Sequence, residues 1–184
     1  MTARRHILPV FGVLVTVAVL IGSAASVAAW RERWYPAPSA IDSTLDIQSG
    51  ATLQQLTKGY NALAADLYWI RTIQYYGGGA PPFPLLYPLL DLTTTLDPSF
   101  NIAYRFGAIF LAEAPPRGPG RPDQAIRLLE KALRAHPGRW EYMQDIGFVH
   151  YWWTHDDDAA ADWFDRAAHV PGAPWFLQTL AATT

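Results

Sequence analysis

Twice in its C-terminal half the chain repeats one arrangement of small, bulky and helix-ending residues. Gly107 sits in one apolar-periodic stretch; Ala125, Leu129 and Ala132 recur in the next, which ends at Pro137. Gly147 sits in the stretch after that, followed by Ala160, Phe164 and Ala167 and a stop at Pro171. Spacings of three and four put each alanine–bulky–alanine set on one helix face. The small residues let two helices approach closely, and the bulky one fills the space between pairs. Proline halts one pair and launches the next. Such a chain folds as stacked helical hairpins.

The helical period begins further upstream. Leu53, Leu56, Tyr60, Leu63, Leu67, Ile70 and Ile73 recur at steps of three and four, which predicts a first helix from about Thr52 to Tyr76. Gly77, Gly78 and Gly79 stop it, and Pro81, Pro82 and Pro84 keep the following chain irregular. Further helices are expected over about Pro88–Leu96, Phe100–Glu113, Pro122–Ala135, Arg139–Trp153 and Asp157–His169, with a last short one after Pro174. Asp97-Pro98, the Pro115–Gly120 loop and His136-Pro137-Gly138 punctuate them, as does a turn at Thr154-His155. Asp156 or Asp157 is placed to cap the helix that follows. No window shows period-2 alternation, so the body is expected to be all-α.

The pattern resembles the tetratricopeptide repeat, in which a helix with G-x2-Y precedes a helix with A-x3-F-x2-A and then Pro. The resemblance covers roughly Thr52 to Pro171 and is most specific over Asn101–Pro171. The loop after the Gly107 helix is about six residues longer than the pattern, and the first pair, Thr52–Pro98, fits only in outline. What the resemblance implies is a short α-solenoid of about three helical hairpins plus a C-terminal helix, over residues 52–184. Members of the superfamily are mostly scaffolds and peptide-binding modules. They line a concave groove with the first helix of each pair, which implies Tyr104, Arg105 and Leu111, then Gln144, Phe148, Tyr151 and Trp152. These types suit an amphipathic helix or extended peptide and are rich in interface anchors. A groove of so few repeats is alternatively filled by the chain itself.

From Ile7 to Ala29 there are 23 residues without a charge. As a helix this run is about 35 Å long, which predicts a single transmembrane helix over 1–30. Trp30, Trp34 and Tyr35 follow at the expected membrane interface. A cleaved signal peptide is the rival reading, since Ser26, Ala28 and Ala29 suit signal peptidase, but the apolar run is longer than the usual h-region. Arg4 and Arg5 before the run lean towards an inside N-terminus. That places the chain in a bacterial-type inner membrane, in contact with the bilayer through 7–29, with its repeats on the periplasmic side. Residues 31–51, with Pro36 and Pro38, read as a linker.

Chemistry is sparsely signalled. The chain has no cysteine, which removes disulfides, zinc–thiolate sites and a thiol nucleophile. The net charge is −2 and no basic stripe appears, which argues against nucleic acid. No phosphate loop, dinucleotide fingerprint or nucleophile elbow is present. His150 and His155 are five apart, about 140° round a helix, and so do not share a face as metal ligands. Asp66 and Asp145 lie among apolar neighbours, where pairing with Arg71 or Arg105 is expected. No cofactor or enzymatic activity is implied. The expectation is an interaction scaffold, an accessory subunit of an envelope complex of pilus, secretion, respiratory or photosynthetic type. A transient chaperone-like or peptide-binding adaptor is the alternative.

Overall fold

The computed structural model describes residues 4–34, 50–78 and 82–184, and the chain divides into two units, Met1–Asp42 and Ser43–Thr184. The first unit carries helix α1, Arg4–Trp34. The second is all-α among the described residues. It comprises α2 (Gly50–Thr57), α3 (Asn61–Gly78), α4 (Leu86–Leu96), α5 (Asn101–Ala112), α6 (Pro122–Ala135), α7 (Trp140–Val149), α8 (Asp157–Ala168) and α9 (Phe176–Thr183). A π-helical turn at His150–Thr154 extends α7.

The expected transmembrane helix is not upheld. Among the described residues no helix is long and apolar enough to cross a membrane. The second half of α1 supplies a physical reason: from Gly22 to Ala29 it is glycine, serine and alanine with one valine. Such short side chains add little of the roughly 0.8 kcal/mol per buried methylene that favours hydrocarbon. The Ser23 and Ser26 hydroxyls donate back to the carbonyls of Leu20 and Gly22. The single-pass anchor and the inner-membrane, periplasmic placement are corrected on this finding. Trp30 is an exposed residue of α1. The Trp34 side chain, Tyr35 and most of the expected linker lie outside the described residues.

Local chemistry explains the helix ends. Pro122 opens α6, Asp123 lies in its first turn and Arg134 in its last, an order matched to the helix dipole. The Asp156 carboxylate caps α8 by accepting from the Ala159 N–H at 3.0 Å. His155 takes the left-handed turn conformation, φ 53°, that joins α7 to α8.

The expected first helix is two. Lys58, Gly59 and Tyr60 are not helical, and Gly59 has φ +87°, a conformation that only glycine adopts cheaply. The sequence run hid this break because its apolar spacing continues through it.

Consecutive helices then pack as pairs, α3 with α4, α5 with α6 and α7 with α8, and α9 lies against α8. A main core joins Leu86 and Leu90 of α4 to Tyr104 and Leu111 of α5, Leu128 and Leu129 of α6 and Ile146 of α7. Trp69, Tyr75 and Tyr76 of α3 cover its edge. Tyr76 stacks on Phe110 with centroids 4.2 Å apart.

Three threonines in a row end α4, although β-branched residues favour helices weakly. Their hydroxyls bond back to the carbonyls of Leu89, Leu90 and Asp91, so none is orphaned. Lys131 of α6 gathers this end: its Nζ donates to the Asp91 carbonyl and carboxylate at 2.7 Å each and to Thr95 Oγ1 at 2.6 Å. Lys131→Met keeps the aliphatic stem but loses all three bonds. A stability loss of about 1–2 kcal/mol is expected, because the ammonium is only partly exposed. The check is a lower urea midpoint at unchanged slope.

Candidate functional site

The first helices of the last two pairs, α5 and α7, are neighbours. Each buries one face and offers the other. In α5, Ala103, Tyr104, Gly107, Ala108 and Leu111 point into the core. Ile102, Phe106 and Ile109 are exposed, and Arg105 stands beside them. In α7, Tyr142, Ile146, Gly147 and Val149 are buried, and Asp145 and Phe148 lie half-buried on the outward side.

Arg105 joins the two helices. Its guanidinium grips the Asp145 carboxylate through two bonds, Nε to Oδ2 at 2.5 Å and Nη2 to Oδ1 at 2.9 Å. The side chains are 36% and 16% exposed. Burial pushes the Asp145 carboxyl above its ordinary range, and the Arg105 bonds and charge offset this only in part. The same bonds raise the Arg105 guanidinium further still, so it stays charged.

Two clefts flank this pair. One, of about 220 Å³, lies among Asn101, Ile102, Phe106 and Ile109. The other, of about 230 Å³, lies among Ala108, Ile109, Phe148, Trp152 and Trp153. Both have mostly apolar walls, and both touch Arg105 and Asp145. Ligand and cofactor sites usually need about 300–1,000 Å³, so each cleft is sized for one large side chain rather than a whole cofactor. The Asn101 side-chain oxygen, beside the first cleft, is buried with no hydrogen-bond partner among the described residues. An acceptor left this way favours a donor brought by something else.

The π-helical turn shapes the second cleft. It widens the end of α7 by one residue and re-aims the aromatic run that follows. Trp152 and Trp153 thereby line the cleft, while Tyr151 is exposed beside Trp152, its ring edge-on at 5.0 Å. His150 and His155 do not converge: His150 faces the Thr154 hydroxyl at 3.2 Å. Among the described residues no group of three His, Asp or Glu side chains is placed to hold a metal.

Of the residues expected to line a groove, Arg105 lines both clefts, Phe148 and Trp152 line the second, Tyr151 is exposed beside Trp152 and Gln144 is half-buried on α7. Tyr104 and Leu111 do not belong there; both are fully buried in the core. Sequence reasoning missed Ile102, Phe106 and Ile109, which expose the apolar surface of α5. Their spacing of four and three was readable, but α5 is apolar on both faces, and periodicity alone does not say which face is covered. The Arg105–Asp145 pairing was expected and is present. Asp66 and Arg71 are both exposed and form no ion pair within the chain among the described residues.

The site defines a stack of helical hairpins with a bipartite apolar cleft across an ion pair. No protein-family model matches the chain, and neither a curated protein nor a solved structure matches it.

Proposed function

We propose that the second unit is a scaffold of the tetratricopeptide type that holds another protein through the α5–α7 clefts. The observation that carries this reading is the pair of side-chain-sized apolar clefts on either side of Arg105–Asp145. Two anchors of an amphipathic helix or extended segment, one per cleft, satisfy that spacing, with the ion pair as the ridge between them. Phe106 and Trp152 supply the rigid aromatic walls that dominate binding energy at such surfaces. The close helix approaches at Gly107, against Leu90 of α4 and Leu128 of α6, and at Gly147, against Phe164 of the paired α8, support the repeat-type assignment. The reading is of a protein that acts by binding rather than by catalysis.

The test is selection of displayed random peptides on the full chain. Selected peptides are expected to carry two large apolar residues, and Trp152→Ala is expected to weaken them at least tenfold, about 1.4 kcal/mol. The melting temperature should stay unchanged, because Trp152 is exposed. Peptides that bind Trp152→Ala and Phe106→Ala as well as the native chain would place binding elsewhere and sink this reading.

A further inference from the structure

Helix α3 buries Ala65 and Thr72 and turns the opposite face outward. Leu63, Leu67 and Ile70 are all exposed there, with Gln74 next in the same row. Leu56 and Tyr60 are exposed as well, but the break at Lys58–Tyr60 separates them from this helix face. An apolar stripe of this kind ordinarily faces a core; this one faces none. Its steps of four, three and four match heptad spacing, with Leu63 and Ile70 in one column and Leu67 and Gln74 in the other. That is the d and a seam of a left-handed coiled coil.

The charges beside the seam say what covers it. Asp66 falls at g and Arg71 at e of the next heptad, on opposite flanks. About 140° separates them round the helix, so they cannot pair with each other. In a parallel two-stranded pairing, g of one helix meets the following e of the other. Each Asp66 then meets Arg71 of the partner copy, twice by symmetry. In an antiparallel pairing g meets g, and near the middle of the seam Asp66 would face Asp66. Gln74 at an a position adds a polar pair that favours one register.

We propose that the chain pairs with a second copy of itself through α3, in parallel, by the Leu63–Leu67–Ile70 seam and reciprocal Asp66–Arg71 ion pairs. This face is separate from the α5–α7 clefts, and the pairing stands or falls independently of them.

The test is sedimentation equilibrium of the full chain over a concentration series. A dimer is expected. Asp66→Arg or Arg71→Asp alone should raise its dissociation constant at least fivefold. The double variant Asp66→Arg/Arg71→Asp should return it to within about twofold of the native value. Association through any other apolar surface, α1 included, is indifferent to these charges. Because the chain has no cysteine, Leu63→Cys gives a second readout. A parallel seam sets position 63 against itself, so mild oxidation should link two copies. A monomer at every concentration, single charge variants that associate as the native chain does, no recovery in the double variant, or no disulfide link each overturns the proposal.

Discussion

Gly147→Val is expected to lower the unfolding free energy by about 3 kcal/mol, at the upper end for overpacking a core. A Cβ at position 147 would lie 2.5 Å from Cε1 and 2.6 Å from Cδ1 of Phe164. The obstacle is a rigid ring that is itself fully buried, so it has nowhere to turn. Replacing glycine within a helix ordinarily gains a few tenths of a kcal/mol or more, which is too little to offset the clash. A melting temperature lower by about 10 °C is the readout for a unit of this size. Phe164→Ala alone should cost about 3–5 kcal/mol by leaving a cavity. Together the two changes should cost clearly less than their sum, since the added side chain enters the space the ring vacates. Strict additivity would mean that α7 and α8 do not meet at this point. Gly107 gives the internal contrast. Its nearest obstacles are methyl ends of Leu90 and Leu128, which move more easily than a ring, so Gly107→Ala should be milder.

Tyr104→Ala should destabilise the second unit by about 3–5 kcal/mol rather than act on binding. The ring is fully buried, packs edge-on to Tyr142 at 5.7 Å and donates its hydroxyl to the Thr94 carbonyl at 3.3 Å. Tyr104→Phe should cost only about 1 kcal/mol at neutral pH, the net worth of one hydrogen bond. Its larger signature is alkaline. Burial pushes the Tyr104 hydroxyl from 10.0 up to about 12. The unfolded chain loses this proton near pH 10 while the folded chain keeps it, so the stability it contributes is complete below pH 10. That stability is lost progressively as pH rises from about 10 to 12. Tyr104→Phe should therefore flatten the fall of the denaturation midpoint over this window. Part of the fall should remain, because burial raises Tyr142, Tyr87 and Tyr76 as well.

Most of the helices were legible in the sequence. Proline and glycine punctuation and the three-and-four apolar spacing place α4 through α9 to within a few residues, because those signals act within a single turn of chain. Asp156 as a cap and His155 as a turn were readable for the same reason. Half of the candidate site was not. Tyr104 and Arg105 are adjacent in sequence, yet one fills the core and the other grips Asp145 on the surface. In a helix apolar on both sides, composition does not say which face a neighbour covers. The break at Gly59 and the π-helical turn at His150–Thr154 were hidden as well. Each interrupts the backbone without interrupting the hydrophobic pattern. The 23-residue uncharged run reads as a membrane span by charge and length alone, whereas among the described residues no helix meets the combined demand of length and apolarity.

By itself, the sequence determined that the second unit is built of short helices joined by proline- and glycine-marked turns, and that Gly107 and Gly147 mark close helix approaches. These are local matters of backbone preference and side-chain size. Tertiary structure alone decided which apolar face of each helix is spent on the core and which remains outward. The stripe from Leu63 to Ile70 has the spacing of a core face and is exposed, because Trp69, Tyr75 and Tyr76 on the other side of α3 hold the contact with the main core. Hydrophobic spacing says that a face wants to be covered; only the packing of the other helices settles what covers it.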